Sequence, residues 1–139
     1  MLAELLGGRV YRHACKEIGW HSVRLTEERH PWLCDFPDQF HSFQWHGDTF
    51  DLPPGARWLA HSKACANQAF SCGEAERVIG LQFHLETTPA CMDTMLDLWS
   101  NELRNERYIH TAEQIRIESY RSQESYRLLH RLLDRSAVS

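Results

Sequence analysis

The sequence lacks a long apolar segment. No run approaches the roughly 20 residues that a helix needs to cross a bilayer, so no membrane-spanning helix is predicted. The first ten residues, MLAELLGGRV, contain Glu4 and have no basic region followed by an apolar one, as a secretory signal would. These absences predict a cytoplasmic protein that does not act at a membrane.

Basic charge is also scarce. Lysine and arginine total 15 against 19 acidic residues, for a net charge of −4. Most of the arginines after residue 100 alternate with acidic residues, which is typical of a solvated helix face with ion pairs. No basic patch indicates a nucleic-acid partner. No phosphate-binding loop of the Gly-x-x-x-x-Gly-Lys type is present, so any coupled ATP-dependent synthetase would be a separate protein.

Metal-binding motifs are missing as well. The five cysteines form no Cys-x-x-Cys pair and no zinc-ribbon spacing; we expect them to be reduced and mostly buried. The nine histidines raise the alternative of a metal-binding β-barrel. That fold needs His-x-His followed closely by Glu, whereas His41 and His46 are five positions apart and no Glu follows before Glu74. We therefore expect neither a metal nor a cofactor.

The 139 residues, 42% of them hydrophobic, are enough for one domain with a core. A short helix end at residues 1–7 is stopped by Gly7-Gly8. A β-rich block follows, and then two helices, one capped by Thr88 and Pro89 and one opened by the capping box of Thr111 and Gln114. The predicted strands cover 9–12, 17–25, 40–45, 57–61, 68–71 and 77–83. This order predicts an α/β or α+β domain.

The segment Gly80 to Glu86 is read as a strand that ends in His-x-Glu. Residues two apart lie on the same side of a strand, about 6.5–7 Å apart. A slight curl at the strand end would bring the carboxylate of Glu86 to the imidazole of His84. The carboxylate would then fix the tautomer of the ring and stabilise its protonated form, as in nucleophile–base–acid catalysis. A surface ion pair is the alternative interpretation.

A second segment joins a strand end to a proline turn. It reads His46-Gly47-Asp48 and continues to the Pro-Pro-Gly turn at residues 53–55. A glycine here lets the backbone approach a ligand closely, and exposed amides could hold a carboxylate or an amino group. The alternative is an ordinary loop.

Taken together and in this order, these segments resemble the class I (type 1) glutamine amidotransferases, and in particular the stand-alone subgroup related to the glutaminase domain of GMP synthase. The resemblance extends over nearly the whole chain. The matching runs are Leu6-Gly-Gly-Arg-Val10, Lys16-Glu-Ile-Gly-Trp20, Trp45-His-Gly-Asp-Thr-Phe-Asp-Leu-Pro-Pro-Gly55, Ser62-Lys-Ala-Cys-Ala-Asn-Gln-Ala-Phe70 and Gly80-Leu-Gln-Phe-His-Leu-Glu86.

The resemblance implies a flavodoxin-like, three-layer α/β domain and a Cys-His-Glu triad that hydrolyses glutamine to supply ammonia. A cysteine on a strand–turn–helix elbow would attack the side-chain amide of glutamine. His84 would activate the thiol and protonate the leaving ammonia, and Glu86 would orient His84. His46, Gly47 and Asp48 would help to hold the glutamine substrate. The ammonia acceptor would be a partner protein.

The nucleophile of such a triad is not among the cysteines of this sequence. The resemblance puts it about five positions before Met1, and Cys65 matches a cysteine on another strand that we expect to be a packing residue. Residues 1–139 are therefore predicted to be the C-terminal part of the domain, inactive alone. Three interpretations remain: a longer, active gene, a decayed remnant, or a non-catalytic binding module or split-enzyme half. Missing strands would expose an apolar sheet edge, which favours self-association.

Overall fold

The computed structural model describes residues 1–138 and is a mixed α/β fold. A single turn of helix, α1 (Leu2–Leu5), precedes five strands, which are followed by the helices α2 to α4. The strands are β1 (Val10–Leu25), β2 (Gln39–Phe50), β3 (Arg57–His61), β4 (Ala69–Cys72) and β5 (Val78–Leu81). The helices are α2 (Pro89–Trp99), α3 (Ala112–Ile117) and α4 (Ser122–Ala137). The predicted order of a β-rich block followed by helices is confirmed.

The five strands form one sheet in the order β2-β1-β3-β4-β5, and every neighbouring pair is antiparallel. The connections between β3, β4 and β5 are too short for parallel pairing, which needs a crossover of about a dozen residues or more. The strands predicted at 9–12 and 17–25 are one strand. β1 pairs with β2 on both sides of an irregularity between Arg12 and Glu17, which broke the apparent strand in the sequence.

Two apolar clusters hold the helices against the sheet. Alternation places Trp20 and Val23 on opposite faces of β1. Trp20 belongs to a cluster with Phe43 and with Met92 and Leu96 of α2. Val23 belongs to another, which contains Phe40, Phe83 and Leu85 of the sheet region and Leu128 and Leu132 of α4. Leu85 of the second cluster anchors the segment around position 84 to the core.

The helix caps confirm the local prediction. Thr88 accepts a hydrogen bond from the amide of Cys91 at the start of α2, and Thr111 and Gln114 form the reciprocal capping box of α3. The second predicted helix is nevertheless divided, because a 3-10 segment (Glu118–Arg121) separates α3 from α4. Within α4, Leu132 is buried, whereas Leu133 is 51% exposed.

Candidate active site

His84 and Glu86 form a direct pair at the surface. Nδ1 of His84 lies 2.7 Å from Oε1 of Glu86, and the two side chains are 38% and 63% exposed. Strand β5 ends at Leu81, so His84 does not end a strand as the sequence predicted. It lies in an isolated antiparallel bridge with Phe43 of β2.

The backbone around this pair is anchored on three sides. The amide of His84 donates to the carbonyl of Phe43 at 2.9 Å, and the hydroxyl of Tyr126 donates to the carbonyl of Glu86 at 3.0 Å. Between them, the side chain of Leu85 is only 2% exposed and packs in the core. Two exposed polar side chains are thus presented by a rigid backbone, which is what a positioned base requires.

The contact with Glu86 determines which nitrogen of the His84 ring carries the proton. An ionised carboxylate only accepts hydrogen bonds, so Nδ1 of His84 carries the proton directed at Glu86. In the neutral ring Nε2 is then the basic nitrogen, and within residues 1–138 it has no hydrogen-bond partner. A histidine oriented in this way can accept a proton from a group placed next to Nε2.

The segment His46-Gly47-Asp48 lies inside strand β2 rather than in a loop. The His46 ring is only 8% exposed. Its Nε2 lies 2.9 Å from Oε1 of Glu17, and its Nδ1 lies 3.1 Å from the carbonyl oxygen of Asp48. The imidazole is therefore engaged inside the protein and holds the carbonyl of Asp48.

The structure brings the two predicted segments together. The side-chain amide of Gln82 donates to the carbonyl of Asp48 at 3.2 Å, and Gln82 stands two residues before His84. Strand β2 is also tied to His84 through Phe43, three residues before His46. The segment at 46–48 and the His84–Glu86 pair are thus parts of one region.

Beneath this region lies a buried polar network that the sequence analysis did not find. Glu17 is 1% exposed. Besides His46, its carboxylate accepts a hydrogen bond from Gln68 Nε2 at 2.8 Å and one from Ser62 Oγ at 2.9 Å. The side-chain amide nitrogen of Gln44 donates to the side-chain oxygen Oε1 of Gln68 at 3.1 Å. The available signal was a glutamate at the first position of the strand predicted at 17–25.

Opposing effects act on the Glu17 carboxyl group. Burial raises its pKa. The hydrogen bond from His46, the charge of that ring and the hydrogen bond from Ser62 lower the pKa by more than burial raises it, so the pKa lies below the ordinary value of 4.5. Glu17 is therefore a buried anion that its donors stabilise.

The cysteines lie elsewhere. Cys65 is buried, as expected for a packing residue, and burial raises the pKa of its thiol. The expectation that most cysteines are buried is wrong, since Cys15, Cys34 and Cys91 are exposed. Within the described part of the chain, no cysteine sulfur is hydrogen-bonded to His84.

Two cavities flank the region. One of about 250 Å³ lies between α1 and β5 and is lined by Met1, Ala3 and Gln82 among others. Another of about 350 Å³ opens beside Glu17 and Ser62 and does not reach His84.

Residues 1–138 contain no cluster of three or more His, Cys, Asp or Glu side chains able to hold a metal ion. None of the helices in that range has the length and apolarity needed to span a bilayer.

The α/β fold and this region match known proteins. The family description "Glutamine amidotransferase class-I" matches residues 1–99. The chain is 31% identical over 139 residues to the glutamine amidotransferase-like protein YfeJ of Salmonella typhimurium, covering 96% of the chain and 56% of that protein. It is 39% identical over 87 residues to GMP synthase [glutamine-hydrolyzing] of Thermomicrobium roseum, covering 62% of the chain and 16% of that enzyme.

The solved structures agree with this match. A glutamine amidotransferase from Thermotoga maritima superposes with a TM-score of 0.84 at 34% identity, covering 100% of this chain and 59% of that one. The protein belongs to the class I glutamine amidotransferase family. It spans little more than half the length of YfeJ and of the Thermotoga protein.

Proposed function

We propose that this chain supplies the base and the orienting carboxylate of a glutamine-hydrolysing site. The observation that carries the proposal is the His84–Glu86 contact of 2.7 Å on an anchored backbone. His84 takes a proton from a cysteine thiol, and the thiolate attacks the side-chain amide of glutamine. His84 then protonates the departing ammonia, and water hydrolyses the γ-glutamyl thioester. Glu86 holds the imidazole in the required tautomer and stabilises its charged form.

The nucleophile of this proposal comes from outside the sequence. None of the cysteines is hydrogen-bonded to His84 in residues 1–138, and covalent catalysis needs the thiol within reach of the base. The resemblance puts the cysteine a few positions before Met1. Met1 lines the same cavity as Gln82, two residues before His84, which supports a cysteine segment that enters α1 from this side of the fold. The chain alone is proposed to be inactive.

Glutamine is the proposed substrate, and Gly47 and Asp48 are proposed to hold its α-amino and carboxylate groups through their backbone. Gly47 is compatible with this role because the atoms nearest to where a β-carbon would be belong to the stem of Lys16, the first of them at 3.2 Å. His46 contributes from below by fixing the Asp48 carbonyl. The ammonia would pass to a separate synthetase, a role suggested by the similarity to GMP synthases.

The test restores the missing part. The segment of the Thermotoga amidotransferase that precedes its match to Met1 is fused to this chain, and ammonia release from glutamine is measured. We expect turnover from the fusion and none from the chain alone. Changing the nucleophilic cysteine to Ala or His84 to Ala should abolish turnover, whereas His130→Ala, at an exposed histidine of α4 outside the site, should not. Turnover by the chain alone that is lost in His84→Ala would contradict the proposed inactivity.

The second candidate is a non-catalytic module that binds glutamine or a synthetase without turnover. It is favoured by the same missing contact between cysteine and His84. A correctly folded fusion that binds glutamine yet releases no ammonia would support this candidate over the enzyme. In-frame sequencing upstream of the Met1 codon separates the two in the genome, since only the enzyme needs a Gly-x-Cys-x-Gly elbow there.

A further inference from the structure

The buried pair of His46 and Glu17 has a hydrogen-bonding pattern that determines how many protons it holds. The carbonyl oxygen of Asp48 can only accept, so Nδ1 of His46, 3.1 Å away, must carry a proton. That leaves Nε2 facing Oε1 of Glu17 at 2.9 Å. A bare nitrogen lone pair opposite a bare carboxylate oxygen at this distance would be repulsive, so one proton lies between them.

The surroundings of Glu17 decide which partner holds this proton. Its two oxygens already accept hydrogen bonds from Gln68 and Ser62. A carboxylate that accepts several hydrogen bonds is stabilised in its charged form. The orientation of the Gln68 side chain agrees with a charged Glu17, because its oxygen Oε1 accepts from Gln44 and its nitrogen Nε2 donates to Glu17. The proton therefore belongs on Nε2 of His46.

We propose that Glu17 is a positioning residue that keeps His46 as an imidazolium donating from both ring nitrogens, and that this buried ion pair fixes the carbonyl of Asp48. Removing the proton from Nε2 would leave Glu17 and the ring in repulsive contact, and removing Glu17 would leave the ring free to turn. Either change would loosen the backbone at Gly47 and Asp48.

The ion pair is also connected to the rest of the site. Nearby, the ammonium group of Lys16 lies 3.3 Å from the carboxylate of Glu102, and the His46 ring is bonded to the carbonyl of Asp48. Glu17 balances the charge of that ring from the interior side. The Asp48 carbonyl takes a second donor from Gln82, so the ion pair, the 46–48 segment and the strand end before His84 are joined in one hydrogen-bonded chain. The benefit to glutamine binding rests on the proposed function, but the protonation state does not.

The experiment is ¹⁵N NMR of the histidine rings in the full chain at neutral pH, without glutamine. We expect both ring nitrogens of His46 to show the shifts of protonated nitrogens. In Glu17→Gln we expect Nε2 to lose its proton and the amide signals of Gly47 and Asp48 to move. Glu86→Gln is the matched control, because it neutralises the carboxylate of the exposed pair and should change the signals of His84 and leave those of His46.

The proposal is overturned if His46 of the unmodified chain is a neutral tautomer at neutral pH. It is also overturned if folded Glu17→Gln keeps both ring protons and the same amide shifts at 47 and 48. Should Glu17→Gln fail to fold, the unmodified chain still decides through its own His46 signals. If the fusion releases no ammonia while both ring nitrogens of His46 show the shifts of protonated nitrogens, the proposed function is contradicted and the protonation of His46 is not.

Discussion

Two histidine–glutamate pairs of nearly equal length lie in one region and differ in burial. The His84–Glu86 contact is 2.7 Å and the His46–Glu17 contact is 2.9 Å. The first pair is 38% and 63% exposed, whereas the second is 8% and 1% exposed. Water screens the exposed pair and leaves Nε2 of His84 available to a reacting group. The buried pair has no such freedom, and each of its polar atoms is committed to a neighbour. The same two residue types thus provide chemistry in one setting and rigidity in the other.

The two pairs should differ most in how much stability is lost when the glutamate of each pair is replaced by alanine. Glu17→Ala leaves a buried ring and several donors without their acceptor, and breaking a buried ion pair costs about 3–5 kcal/mol of unfolding free energy. Urea denaturation followed by circular dichroism measures this loss. A loss below that of Glu86→Ala would contradict the assignment of the buried pair as the structural one.

Acid should break the same pair more gradually. The pKa of Glu17 lies below its ordinary value of 4.5 in the folded protein, so the unfolded chain binds the proton more readily. The contribution of Glu17 is fully present above that ordinary value and is lost as the pH falls through the lower, folded-state pKa. Urea denaturation at a series of acidic pH values tests this. Glu17→Gln should flatten the dependence in this range, and an unchanged slope would contradict it.

The glycines beside the two pairs give a smaller contrast. A β-carbon at Gly80 would lie 2.4 Å from the ring of Phe70, which is 2% exposed; overpacking of this kind costs about 1–3 kcal/mol. At Gly47 the same atom would meet only the flexible stem of Lys16, so Gly47→Ala should change the unfolding free energy by less than about 0.5 kcal/mol. Thermal unfolding of both variants compares them. If the alanine variants at Gly80 and Gly47 lost equal unfolding free energy, the prediction that a β-carbon is tolerated at Gly47 would be wrong.

The smallest effect on stability is expected at the exposed pair. Glu86→Gln removes a solvent-exposed ion pair, whose contribution is typically below about 1 kcal/mol. The same change should strongly lower ammonia release by the fusion, because His84 would lose its orienting group. A large loss of stability together with unchanged turnover would reverse the roles assigned to the two pairs.

Local features were predictable from the sequence because their causes are local. The capping box of Thr111 and Gln114, the cap at Thr88 and the bounds of β3 depend on residues a few positions apart, and the structure has them as predicted. The contact between His84 and Glu86 also spans only two positions. The division of the last helical region was missed, since no glycine or proline marks the 3-10 segment at 118–121.

The sequence by itself determined the family, the succession of a β-rich block and helices, and the exposed His84–Glu86 pair. Only the tertiary structure decided that Glu17 is buried and that its partners are His46, Ser62 and Gln68, which lie 29, 45 and 51 positions away. A charged residue is predicted to be exposed unless its partners are known. Those partners come together through the pairing of β1 with β2 and the fold of the chain around β3 and β4, because burying a carboxylate is favourable only where such donors converge on it.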